Sequence, residues 1–210
     1  MKDATEIVVV MDKSGSMDMR RADAIGGFNS FLADQKKEPG EANLTLVLFD
    51  TTYTIPVKGV PIKEVVPLNE DTYRPGGNTA LNDALARAII ETGARLAAMP
   101  EEERPGKVIC VIITDGEENS SVEHTKRQVK EMVEHQESKY DWAFIYLGVG
   151  VDAFDEARQL GVPINYIAKM SDENGCMHAA YACTSEAVSE YRGGGKVGLT
   201  NSKWKDKLDD

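Results

Sequence analysis

The chain has 210 residues, of which 41% are hydrophobic and 28% charged, the balance of an ordinary globular domain with a sizeable core. A formal net charge of −11, with 24 Lys and Arg against 35 Asp and Glu, argues against nucleic acid or an anionic membrane as partner. No stretch approaches the ~20 apolar residues that a membrane span requires, and Met1–Glu6 runs straight into the first apolar segment with no room for a signal peptide, so a cytoplasmic location is expected.

Apolar runs and helical periodicities alternate along the chain, which predicts an α/β layered fold. Thr5–Met11 reads as the first strand, and Arg20–Lys36 as a helix with Ile25, Phe28 and Leu32 at helical spacing. Leu44–Phe49 is the second strand. The link Asp50-Thr51-Thr52 turns it into Tyr53–Val57, whose internal Pro56 predicts an antiparallel edge. Lys58–Tyr73 is punctuated by proline and reads as irregular with a short helical turn. Leu81, Leu85, Ala88, Ile89, Thr92 and Leu96 mark a strong helix after Thr79. Met99–Gly106 is a loop, and Val108–Ile113 a continuous apolar strand. Ser120-Ser121-Val122-Glu123 has capping-box form and predicts a helix to about Glu137. Trp142–Leu147 is a further strand. A short helix over Asp152–Leu160, a short strand over Asn165–Ala168 and a last helix over Asp172–Tyr191 complete the order. The segment 196–210 is a polar tail.

Cysteine and histidine use is uninformative. Cys110 lies in a strand, and Cys176 and Cys183 fall on one helical face; an odd count without metal-type spacing predicts reduced thiols. His124, His135 and His178 form no pair at ligand spacing, so zinc is not expected.

Three distant segments carry the chemistry. They are Asp12-Lys13-Ser14-Gly15-Ser16, Gly76-Gly77-Asn78-Thr79 and Thr114-Asp115-Gly116. The first and third each follow an apolar run of the kind buried on both faces of a parallel sheet, and such sheets bind ligands in the crevice at the carboxyl ends of their strands. Two carboxylates and three hydroxyls meeting there make an all-oxygen site for a hard divalent cation. Gly15 permits the tight turn that puts the Ser14 and Ser16 hydroxyls on one side.

These residues resemble the metal-ion-dependent adhesion site (MIDAS) of a von Willebrand factor type A (vWA) domain. That pattern is Asp-x-Ser-x-Ser after the first strand, a Thr in a middle loop and an Asp after the fourth strand; Asp12, Ser14, Ser16, Thr79 and Asp115 match it. The resemblance spans nearly the whole chain and implies a vWA domain over 1–195. The implied fold is a doubly wound, mostly parallel six-stranded sheet with one antiparallel edge strand and helices on both faces. The implied function is non-enzymatic: Mg²⁺, with Mn²⁺ or Ca²⁺ as substitutes, docks a Glu or Asp side chain of a partner protein. The resemblance further implies that the Thr79 loop and the Asp172–Tyr191 helix shift between states of differing affinity.

Local readings compete at each position. Asp12 ends a strand, Ser14 or Ser16 caps a helix, Thr79 is placed to cap the helix that follows it, and Asp115-Gly116 is a common turn pair. Asp83 complements a helix dipole, Asp50 shapes the hairpin turn and Lys13 is a solvated loop lysine. Glu117, Glu118 and Asn119 are either docking rim or loop. Gly193-Gly194-Gly195-Lys196 is not a phosphate loop, because Val197 stands where Ser or Thr is needed. The alternative function is a metal-dependent phosphohydrolase on a similar sheet, but the second Asp expected two residues after the first is Ser14 here. A third reading is a structural subunit with a vestigial site; the intact residue set argues against it.

Overall fold

The computed structural model describes residues 4–149, 153–170 and 176–194. The expected tail over 196–210 and the first residues of the expected helices at Asp152 and Asp172 lie outside them.

Six strands form one sheet in the order β3-β2-β1-β4-β5-β6. Their ranges are β1 Thr5–Asp12, β2 Ala42–Phe49, β3 Tyr53–Pro61, β4 Lys107–Thr114, β5 Ala143–Val149 and β6 Ile167–Met170. All pairings are parallel except β2 with β3, the hairpin at one edge. The expected doubly wound sheet with one antiparallel edge is therefore the observed one. The helices are α1 Arg21–Gln35, α2 Leu81–Ala98, α3 Lys126–Tyr140, α4 Ala153–Gln159 and α5 Cys176–Arg192.

The central strands are buried throughout because each face has its own core, and alternate residues serve each. Ile7, Val9 and Met11 of β1 pack with Phe28, Leu32, Tyr181 and Val188 on the side of α1 and α5. Val8 and Val10 pack with Leu81, Leu85, Ile89, Val129 and Val133 on the side of α2 and α3. The edge strand β3 instead alternates half-buried and exposed residues along most of its length, and its register with β2 shifts twice, once between Thr54 and Val57, across Pro56, and once between Val57 and Val60, across Gly59. A proline cannot donate to the ladder, which suits it to that edge.

Helix starts depart from the expected ones. A 3₁₀ turn, Gly15–Arg20, precedes α1, so the α-helix begins at Arg21. The expected capping box at Ser120–Glu123 is not used. α3 begins at Lys126, after a box formed by Thr125 and Gln128, in which the Gln128 side chain accepts the Thr125 N–H at 2.8 Å. Ser121 is diverted because its hydroxyl donates to Glu118 Oε2 at 2.7 Å and accepts the Asp83 N–H at 3.0 Å. The short strand β6 begins two residues later than expected, after a 3₁₀ turn at Ile164–Tyr166. Among the described residues no helix is long and apolar enough to cross a membrane.

Candidate metal centre

β1 lies between β2 and β4, and the chain order reverses there, so the carboxyl ends of β1 and β4 border the crevice of the sheet. Asp12 closes β1 and is fully buried. Its Oδ1 accepts the Ser14 N–H at 2.6 Å and its Oδ2 accepts the Thr114 hydroxyl at 2.6 Å. The first bond folds the Asp12–Ser14 loop back on itself. The second ties it to the end of β4. From the other side, the Tyr73 hydroxyl donates to the Asp12 carbonyl at 2.5 Å. Burial pushes the Asp12 carboxyl up to about 6; hydrogen bonds from Thr114 and Ser14 oppose that rise and the nearby Asp115 charge adds to it.

The other candidate residues follow outward from Asp12. Ser14 is buried, and its Oγ is 3.1 Å from that of Ser16, which is exposed. Ser16 donates to Asp115 Oδ1 at 2.7 Å. Asp115 Oδ2 is 3.4 Å from Arg20 Nε, at the end of the same 3₁₀ turn that carries Ser16. Thr79 reaches the group across Gly116: a Cβ built on that glycine would lie 3.1 Å from Thr79 Oγ1 and 3.6 Å from Ser16 Oγ. All five candidate residues thus meet at one place, from three loops. The Gly76–Thr79 loop is fastened to the Lys13–Gly15 loop by Gly15 N–H to Gly77 O at 3.0 Å and Gly76 N–H to Lys13 O at 2.8 Å. Gly77 has a φ of +71°, a conformation that favours glycine.

The local reading of Thr79 does not hold. Ala80 occupies the cap position of α2, and no side chain caps it from there. Glu118 takes that part from 36 residues away: its Oε2 accepts the Asn82 N–H at 2.7 Å while its Oε1 accepts from Ser120 and Ser121 at 2.9 and 2.8 Å. Asn119 accepts the Thr79 N–H, and Asp83, itself buried, accepts the N–H groups of Val122, Glu123 and His124 at 2.7–3.2 Å. Asp83 is therefore a loop clamp, not only a dipole partner. Asp50 accepts from Thr52 and does shape the hairpin turn, while Lys13 is ion-paired with it and is not a solvated lysine. The sequence reading missed Arg20 and Tyr73, gave Thr114 no role of its own and left Glu118 and Asn119 open, since each acts across a long stretch of chain.

The donor set fits a hard divalent cation: three hydroxyls and two carboxylates, all oxygen, with burial falling from Asp12 to Ser16 so that the group opens to solvent on one side. Among the described residues no group of three or more His, Cys, Asp or Glu side chains is placed to hold a metal.

No curated protein matches the chain significantly. Many solved structures resemble it in fold, among them the following three. Proximal thread matrix protein 1 from the mussel byssus, with a zinc-occupied MIDAS motif, is 18% identical over 90% of this chain and 45% of its own, with a TM-score of 0.58. The manganese-loaded TRAP protein of Plasmodium vivax is 16% identical over 86% of this chain and 72% of its own, with a TM-score of 0.60. The pilus adhesin SpaC of Lactobacillus rhamnosus GG is 14% identical over 90% of this chain and 30% of its own, with a TM-score of 0.64. The chain spans less than half of the mussel protein's length. The von Willebrand factor type A domain model matches residues 6–181, which is most of the chain, and the chain therefore belongs to that family.

Proposed function

We propose that Asp12, Ser14, Ser16, Thr79 and Asp115 hold a divalent cation, Mg²⁺ with Mn²⁺ or Ca²⁺ as substitutes, which docks a Glu or Asp side chain of a partner protein. The observation that carries this reading is the meeting of the Ser14, Ser16 and Asp115 oxygens, at 3.1 and 2.7 Å, with the Thr79 hydroxyl beside them. Neutral hydroxyls compensate little of a cation's charge, so the ion keeps an appetite for an external carboxylate. The surrounding loops supply the specificity. Met19 and Val122, 92% and 90% exposed, stand on the two segments that carry Ser16 and Asp115 and offer apolar surface to a partner.

The reading is non-enzymatic, because Ser14 occupies the position where a phosphohydrolase of this sheet type needs a second carboxylate. It places the protein in the cytoplasm, a location supported by Cys110, a thiol buried within β4.

The test is a calorimetric titration with Mg²⁺ and Mn²⁺. The wild type is expected to bind one ion, and the Ser14→Ala/Asp115→Ala double variant to bind none while keeping its circular dichroism. An unchanged titration in the double variant rejects the site.

A further inference from the structure

We propose that Arg20 is an affinity-setting residue of this site: an internal cation that pairs with Asp115 and competes with the metal. The inference rests on the divalent-cation reading of the crevice. Ser16 and Arg20 belong to the same 3₁₀ turn, Gly15–Arg20, and both reach Asp115, one to each carboxylate oxygen. Ser16 donates to Oδ1 at 2.7 Å and Arg20 Nε lies 3.4 Å from Oδ2. Asp115 is thereby engaged on both oxygens by its own chain.

The pair is largely withdrawn from water, the side chains of Asp115 and Arg20 being 4% and 19% exposed, so salt screens it weakly. A guanidinium keeps its charge at every working pH. An ion bound among Ser14, Ser16 and Thr79 therefore shares its anion with a permanent positive charge and is repelled by it. For a divalent ion roughly 6 Å from a single charge, even a water-like dielectric gives a penalty on the order of tenfold in affinity. Arg20 also gives the metal-free site a counter-ion, so that Asp12 and Asp115 do not face each other uncompensated when no metal is bound.

The experiment compares wild type, Arg20→Gln and Arg20→Lys by Mn²⁺ calorimetry and by thermal melting of the metal-stripped proteins. Arg20→Gln is expected to bind Mn²⁺ about tenfold more tightly than wild type and to melt lower without metal, because Asp115 loses its partner. Arg20→Lys, which keeps the charge, is expected to stay within about threefold of wild type. Should Arg20→Gln not fold, Arg20→Met makes the same comparison. Equal or weaker Mn²⁺ binding in the neutral variant overturns the role of Arg20 and leaves the metal site standing. Absence of Mn²⁺ binding in every protein, the neutral variants included, overturns the metal reading itself and Arg20's role with it.

Discussion

Asn119 grips Thr79 from both sides of its peptide backbone. Its own N–H donates to the Thr79 carbonyl at 3.0 Å, and its side-chain Oδ1 accepts the Thr79 N–H at 2.9 Å. Thr79 and Asp115 are thus on loops clasped together just outside the crevice, four residues beyond Asp115. The clasp fixes the Thr79 hydroxyl relative to Ser16 without using that hydroxyl.

Replacing Asn119 by alanine removes the side-chain half of this clasp. A lost hydrogen bond of this kind costs about 1 kcal/mol of stability. The larger effect is expected on the site: Mg²⁺ affinity falls several-fold as Thr79 loosens. Parallel urea denaturation and Mg²⁺ calorimetry separate the two, and unchanged affinity beside reduced stability removes Asn119 from the site's support.

Asp83 gives an acid-side prediction. Burial alone raises its carboxyl, but the N–H groups of Val122, Glu123 and His124, with the His124 side chain, outweigh that and hold it below the usual carboxylate range. A depressed carboxylate contributes stability that is complete above its unfolded value of about 3.9 and is lost as pH falls through the lower folded value. The protection of the Val122–His124 amides against hydrogen exchange, taken relative to their intrinsic rates at each pH, is therefore expected to hold at neutral pH and to fall below about pH 4. In Asp83→Ala the same amides are expected to lack that protection at every pH; equal protection in the two proteins refutes the clamp.

Gly26 and Gly27 are adjacent in α1 and are expected to respond in opposite directions to alanine. A Cβ on Gly26 meets nothing within 4 Å, whereas one on Gly27 would lie 2.2 Å from Tyr181 Cδ2 of α5. Alanine gains roughly 0.5–1 kcal/mol over glycine inside a helix, so Gly26→Ala should stabilise by about that amount. At Gly27 the gain is overridden by overpacking, which costs about 1–3 kcal/mol. Urea midpoints read both, and stabilisation by Gly27→Ala contradicts the close approach of α1 and α5.

At the far end of β1, Glu6 is fully buried and ion-paired with Arg95 of α2; its Oε1 also accepts the Thr45 hydroxyl at 2.8 Å. Burial raises the Glu6 carboxyl despite the lowering effects of Arg95 and Thr45. Arg95→Met strands the buried charge and should destabilise by about 3–5 kcal/mol at pH 7. A raised acid is penalised when ionised, so the folded variant takes up a proton as pH falls. The deficit relative to wild type should therefore narrow between pH 7 and 5. A pH-independent deficit in chemical denaturation excludes the stranded charge as its cause.

The strands were legible because a parallel sheet covered on both faces needs unbroken apolar runs. Ile7–Met11 and Val108–Ile113 announce such strands without reference to any partner. The edge hairpin was legible from Pro56 and a short polar link. Asp12, Ser14 and Ser16 were legible because a strand end and a tight loop are local events. Arg20, Tyr73, Thr114 and Glu118 were not, since their partners lie tens of residues away in sequence and nothing near them in the chain encodes the pairing. Thr79 shows the division most clearly. Its neighbours alone made it a helix cap; only the arrival of Glu118 and Asn119 from the loop after β4 took over the amides at that end of α2 and left the Thr79 side chain beside Ser16 and Asp115. Local pattern thus determined which oxygens were available, and long-range hydrogen bonding across the strand ends decided which of them meet, because the bonds that set their spacing close loops too long for sequence spacing to specify.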